Sequence, residues 1–136
     1  MIRIDLEKAR TLIREAMQTQ GPDFMYNADG DGYCWNVPDL TVADGDPRKI
    51  TGCIVGTALT MLGIDLNTDE ARRGGSIYEL MRLLEDAEEA VATPGALRYM
   101  AYVQSAQDAG DTWGGAIAKA EERLPLLRQG EERGYF

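Results

Sequence analysis

The segment GCIVGTALTMLG, residues 52–63, predicts the central element of the fold. Two glycines and a following threonine are typical of a phosphate-binding loop, but a P-loop has four residues between its glycines and then a lysine. Here three residues separate Gly52 from Gly56, and no lysine follows. Apart from the glycines, all positions of this segment except Thr57 and Thr60 are apolar. This pattern predicts a buried central helix that ends at the last glycine. The spacing of Gly52 and Gly56 predicts close packing by a neighbour, namely the segment that carries Cys34 and Trp35.

A β-hairpin is predicted just upstream, over residues 24–38 (FMYNADGDGYCWNVP). Aromatic and β-branched residues flank a turn that is dense in Asn, Asp and Gly, as in short hairpins. The hairpin and the loop after it, residues 22–51, carry six acids and two bases. The sequence therefore predicts an acidic insertion between the first helix and the central helix.

The turn of this hairpin also matches the first half of a calcium loop. Asn27, Asp29 and Asp31 occupy positions one, three and five, but position twelve is Pro38 instead of a bidentate glutamate. A solvated hairpin turn is the favoured interpretation, so no metal site is expected. Calcium binding stays open as an alternative, because a second acidic turn at 44–46 offers further carboxylates.

Helical periodicity with start and stop signals covers most of the remaining chain. Ser76 with Glu79 forms a capping box, Thr93 precedes a proline, and Gly21 and Gly110 are natural helix ends. The fold class that follows is mainly α with a small β-hairpin (α+β), a compact single-domain bundle of about five helices over residues 1–136. Further start signals are Asp5, Asn67 or Thr68, and Asp111 or Thr112, and the tail from Leu126 is expected to be partly ordered at best.

Composition and charge exclude several classes of function. The net charge of −9 argues against a nucleic-acid binder, which needs lysine and arginine on its surface. No apolar run approaches the ~20 residues of a membrane helix, and the start of the chain does not resemble a signal peptide, so a cytoplasmic protein is expected. Cys34 and Cys53 are then expected as reduced thiols.

No catalytic constellation is apparent, so we do not expect an enzyme. The chain has no histidine, which removes the commonest general base and the usual partner of a nucleophilic cysteine. Runs of carboxylates such as EDAEE at 85–89 are typical of solvated helix faces. No cofactor is expected either, because neither a P-loop nor a dinucleotide fingerprint is present.

Aromatic residues, an arginine and the acidic turn are the candidates for binding. Aromatics beside an arginine are favoured at interfaces and for stacking on bases, although each also suits the core that joins hairpin to helices. The candidate binding residues are Asp29, Asp31, Tyr33, Trp35, Arg98, Tyr99 and Tyr102.

Three segments, GYCWNVP, TGCIVGTALTMLGID and AYVQSAQDAGDTWGGAIAKA, resemble a family of small proteins encoded by phages of actinobacteria. The likeness covers roughly residues 24–120. The family often carries histidine where this chain has Thr57, and residues 38–50 are longer here. The resemblance implies a phage accessory protein in a bacterial cytoplasm, and it carries no activity with it. The matching positions are Cys34, Cys53, Gly56, Gln104, Gln107, Asp108, Gly110, Trp113, Gly114 and Ala116.

Two functions from different classes are consistent with these observations. The first is a non-enzymatic phage accessory protein that binds and modulates a host protein, by host takeover or anti-defence, through the loop at 27–46. The alternative is a protein that sequesters a small molecule such as a signalling nucleotide, held by helix-start amides near Gly52, Thr93 and Thr112. Homo-oligomers remain open, and a third interpretation, a DNA mimic, needs acids in regular rows.

Overall fold

The computed structural model describes residues 1–27, 30, 34–72 and 76–133. It confirms a mainly helical protein with a small sheet, although the described residues form seven α-helices instead of about five. In chain order the elements are β1 (Ile2–Ile4), α1 (Leu6–Gln20), a 3-10 helix (Pro47–Lys49), α2 (Ile54–Met61), α3 (Asp69–Arg72), α4 (Ile77–Asp86), β2 (Ala90–Ala92), α5 (Pro94–Asp108), α6 (Trp113–Glu122) and α7 (Leu124–Arg133).

Helix α5 is the hub of the bundle. It packs against α1, α2, α4, α6 and α7. Tyr99, Met100 and Val103 on this helix are almost completely buried. Helix α2, which the sequence predicts at the centre, is also buried, but it packs mainly against α1 and α5.

The helix starts follow the local signals of the sequence. At each of four starts, a side-chain oxygen at the cap position accepts a hydrogen bond from the backbone amide three residues on. This contact satisfies an amide that would otherwise have no partner in the first turn. The four caps are Asp5 for α1, Ser76 for α4, Thr93 for α5 and Thr112 for α6.

Helix α2 confirms the predicted buried helix and the close approach at its glycines. A Cβ atom added to Gly56 would lie 2.2 Å from the carbonyl oxygen of Asn36, and one added to Gly52 would lie 2.3 Å from the same atom. The neighbour is therefore the backbone next to Trp35. Met61, in the last turn, differs from the prediction because it is exposed.

The sheet is parallel, and it is not the predicted hairpin. Strand β1 pairs with β2 in the register Ile2–Ala90, Arg3–Val91 and Ile4–Ala92. This pairing joins segments far apart in sequence and places the start of the chain beside the entry to α5. Thr93 extends the ladder, since its amide donates to the carbonyl of Ile4.

The hairpin prediction was wrong for the described part of residues 24–38, where no strand forms. The backbone groups that would pair across a hairpin are occupied elsewhere. The Trp35 amide donates to the hydroxyl of Tyr26, and its carbonyl accepts from the Cys53 amide at 2.8 Å. The Asn36 amide donates to the carbonyl of Arg72. This segment is therefore an irregular strap over the start of α2 and the end of α3.

The tail also differs from the prediction, because residues up to 133 form helix α7. Leu127 is completely buried, and Leu124 is nearly so. The carboxylate of Glu131 reaches the starts of two other helices. Burial and this contact order the helix. Tyr135 and Phe136, at the end of the tail, lie outside the described residues.

None of the helices in the described part of the chain is both long and apolar enough to cross a membrane.

Candidate binding surface

The acidic turn with Asp29, Asp31 and Tyr33 lies outside the described residues, and the calcium alternative lies there with it. Trp35, the fourth candidate from this segment, is half-buried and packs against the core. The hydroxyl of Tyr26 anchors the Trp35 backbone, donating to its carbonyl at 3.2 Å and accepting from its amide at 3.0 Å. Trp35 therefore has a structural role in the fold, whether or not its exposed part also binds a partner.

The three candidates on α5 differ in exposure. Arg98 and Tyr102 are half-buried, and the guanidinium carbon of Arg123 lies 5.4 Å from the centre of the Tyr102 ring. Tyr99 has no exposed area, which leaves it no surface for a partner. Burial raises the pKa of Tyr99 to about 12, and the negative charge of Glu121 adds to this rise. Tyr99 is therefore a core residue. It lies near the ion pairs that Glu121 of α6 forms with Arg10 and Arg14 of α1.

The acidic loop neutralises much of its own charge in its described part, residues 39–50. Asp46 caps the 3-10 helix and forms a salt bridge with Arg48 at 2.9 Å. Hydrogen bonds from Arg48 hold the pKa of Asp46 below its usual value. Lys49 pairs with Asp44. Both bases of the loop are thus paired with its acids, and the three acids and two bases of residues 39–50 leave a net charge of only −1.

Gln107 organises a buried polar junction at the start of α2. Its Oε1 atom accepts from the Ile54 amide at 2.8 Å and from Trp113 Nε1 at 3.1 Å, while its Nε2 donates to Asp108. Cys53, the residue at the cap position of α2, makes no side-chain cap. The side chain of Gln107, which lies on α5, takes the place of that local cap. Gln107, Asp108 and Trp113 are among the positions that carry the resemblance, and they have a structural role at this junction.

The two cysteines lie together at the edge of the same junction. The Cys53 thiol donates to Asn36 Oδ1 at 3.3 Å, and Gln104 Nε2 donates to the Cys34 sulfur at 2.6 Å. The hydrogen bond between the two thiols and the burial of the pair raise the pKa of Cys34. A thiol that stays protonated is a weak nucleophile.

The helix starts named for the nucleotide alternative are filled by protein groups. Glu131 accepts from Leu6, the first residue of α1, and from Gly95 in α5. In α6, the first amide donates to the carbonyl of Phe24 at 2.9 Å. A depression of about 850 Å³ opens beside Glu131, but both signs of charge line it. These contacts occupy amides at the starts of α5 and α6 that a phosphate would need.

An apolar groove of about 460 Å³ opens between the strap and the end of α2. Ile50 and Met61 stand in its walls with 66% and 47% of their surface exposed. Pro38 and Ile64 add apolar area. Leu40, which is even more exposed, belongs to the loop that follows the strap. Large apolar side chains left in water beside a groove are typical of a surface that a partner covers.

An acidic groove of about 420 Å³ lies between α3 and the end of α4. Its floor is apolar, with Leu83 and Leu84, and its walls carry the carboxylates of Asp65, Glu70 and Glu89. No lysine or arginine is among its described lining residues. Across the described chain, no three acids, cysteines or histidines are grouped closely enough to hold a metal ion.

Sequence reasoning missed the residues of both grooves. Met61 fits the apolar face of α2, and only its place in the last turn exposes it. Glu70 and Glu89 resemble ordinary solvated acids, and helix α4 separates them in sequence. The sequence offers one signal for the apolar groove. Ile50 is an isolated apolar residue beside two bases in a polar loop.

No family model, curated protein or solved structure matches this chain.

Proposed function

We propose that this protein is a non-enzymatic phage accessory protein that binds and modulates a host bacterial protein. The observation that carries the proposal is the apolar groove with Ile50 and Met61 exposed in its walls. Apolar side chains that a partner desolvates supply most of the affinity of a protein interface. The resemblance described above supports the phage and host setting.

Two features favour a binding protein over an enzyme. The chain has no histidine, and its partly exposed cysteine, Cys34, has a raised pKa. The buried amides of Gln104 and Gln107 hold the fold together, and an amide does not titrate. The residues of the junction therefore suit a structural role, which leaves the grooves as the functional surface.

The test is capture of proteins from a lysate of an actinobacterial host, read by quantitative mass spectrometry. The wild type is compared with the double variant Ile50→Gln, Met61→Gln, which keeps side-chain size and removes apolar area. Leu126→Gln is the matched control, since Leu126 is 52% exposed on α7 and lines neither groove. We expect one host protein to be retained by wild type and control and lost by the double variant. Equal retention by all three chains, or no specific protein at all, would contradict the proposal.

A further inference from the structure

The apolar groove and the acidic groove are two sections of one surface. Asp65 lines both, and the chain from Ile64 to Thr68 runs from the first section into the second. The exposed apolar side chains of Ile50 and Met61 therefore lie at one end of a continuous surface, and Glu70 and Glu89 lie at the other.

The carboxylates of the acidic section are available to a cationic partner. Glu70 and Glu89 are exposed and form no ion pair within the described chain. Asp65 accepts only the amide of Asn67 there, which leaves oxygen lone pairs for another donor. The apolar floor of Leu83 and Leu84 suits the methylene stem of a lysine or arginine.

We infer that the occupant of this surface is a basic amphipathic segment of the partner protein. An apolar side chain of the segment fills the apolar groove, and a lysine or arginine reaches the carboxylates of the acidic groove. The inference rests on the proposed function and deepens it by naming the chemistry of the partner. Charge complementarity decides between occupants, because acidic walls repel nucleic acid and anionic lipid and attract a basic peptide.

A peptide-display selection on the immobilised full-length chain tests this inference without knowledge of the partner. The probe is a library of random peptides of about twelve residues, a length that spans a groove of this kind. We expect enriched peptides to combine lysine or arginine with a large apolar residue. Enrichment of neutral or acidic peptides, or no enrichment, would overturn the inference.

Charge reversal at the groove then tests the site itself. The affinity of an enriched peptide is measured by fluorescence polarisation for the wild type, for Glu70→Lys, Glu89→Lys and for the control Glu15→Lys, Glu122→Lys. The control makes the same change in net charge at exposed positions outside both grooves. We expect binding to weaken about tenfold or more in the groove variant, and to weaken with added salt in the wild type. Equal affinities of the two double variants would overturn the site.

The lysate experiment separates this inference from the proposed function. Loss of the host protein from the Ile50, Met61 variant, with full retention by the Glu70, Glu89 variant, would sustain a protein-binding function and remove the basic partner. Failure of every chain to retain a host protein would remove both. Circular dichroism and the unfolding midpoint confirm that each variant is folded, as expected for substitutions at exposed positions.

Discussion

Asn36 is the residue on which the fit between the strap and the helices depends. Its side-chain amide donates to the carbonyl of Ala71 at 2.8 Å, its backbone amide donates to Arg72, and its Oδ1 accepts from the Cys53 thiol. These contacts fix its backbone against Gly56. Because the position is fixed, the strap has little freedom to move away from a larger side chain.

The substitution Gly56→Ala tests that fixed position. The new Cβ would lie 2.2 Å from the Asn36 carbonyl oxygen and 2.5 Å from its Cα, so the strap or the helix must shift. We expect the free energy of unfolding to fall by about 3 kcal/mol, the upper range for an overpacked core. Urea unfolding measures it, with Thr60→Ala as a control on the exposed side of the same helix, where a change within about 0.5 kcal/mol is expected. A similar loss in both variants would show that Asn36 can move.

Tyr99 makes the free energy of unfolding vary with pH in the alkaline range. The folded chain holds the pKa of this phenol at about 12, whereas an unfolded tyrosine titrates near 10. The folded state therefore keeps the proton longer. The corresponding stabilisation is complete below pH ~10 and is lost as the pH rises through about 12.

Replacing Tyr99 by phenylalanine should remove this part of the alkaline decline. Near pH 7 the variant is expected to lie within about 1 kcal/mol of the wild type, because phenylalanine keeps the buried ring and only the hydroxyl is lost. Between pH ~10 and ~12 the wild type should lose about 2 kcal/mol more than the variant. Urea unfolding across this range gives the difference, and Tyr78→Phe, which removes an exposed hydroxyl, serves as the control. Parallel alkaline declines for the wild type and the Tyr99 variant would refute the expectation.

Helix α7 is held by one carboxylate that serves two other helices. Glu131 Oε2 accepts from the Leu6 amide at 2.8 Å and from the Thr93 hydroxyl at 2.7 Å, while Oε1 accepts from the Gly95 amide at 3.0 Å. A negative charge at a helix start also interacts favourably with the helix dipole. Glu131 therefore couples α1, α5 and α7.

Glu131→Gln should weaken this coupling, because the neutral amide loses the charge and turns an NH₂ group toward backbone donors. We expect a loss of about 2 kcal/mol in the free energy of unfolding, the range for a hydrogen bond to a charged group. Hydrogen exchange should quicken at Leu127 in α7, where the contact is lost. Glu132→Gln is the matched control, since Glu132 is exposed. Equal stabilities of the two variants would contradict the role of Glu131.

The sequence predicted those elements whose signals are local. Asp5, Ser76 and Thr93 are predicted as helix starts, and Thr112 as one of two alternatives with Asp111, because a cap lies only three residues from the amide whose hydrogen bond it accepts. Helix α7 was missed because its stabilising carboxylate contacts residues far away in the chain. The three-residue strands were missed for the same reason, since they pair across most of the sequence.

The candidate site was predictable only in part, because residue type does not give orientation. Arg98, Tyr99 and Tyr102 lie within two turns of α5, yet Tyr99 faces the core and the other two are half-buried. The grooves depend on how α3 and the loop at 39–50 pack, which no local pattern encodes. The close approach at Gly56 was predictable because small residues one turn apart leave a gap that a neighbour fills.

The net negative charge of the whole molecule affects the stability of the entire fold. The chain has 23 acids and 14 bases, and several acids between α3 and β2 have no cationic partner among the described residues. Like charges on a compact chain repel one another, and this repulsion weakens when the chain expands. The folded state is therefore destabilised by its own surface.

Added salt should for this reason stabilise the protein. Raising NaCl from about 20 mM to about 500 mM shortens the screening length from roughly 20 Å to about 4 Å, which removes most of the long-range repulsion. We expect the unfolding midpoint to rise by roughly 2–5 °C, as about 1 kcal/mol does in a domain of this size. The variant Glu85→Lys, Glu122→Lys lowers the net negative charge and should respond less to salt. A midpoint that falls with salt would mean that ion pairs such as Arg10–Glu121 outweigh the repulsion.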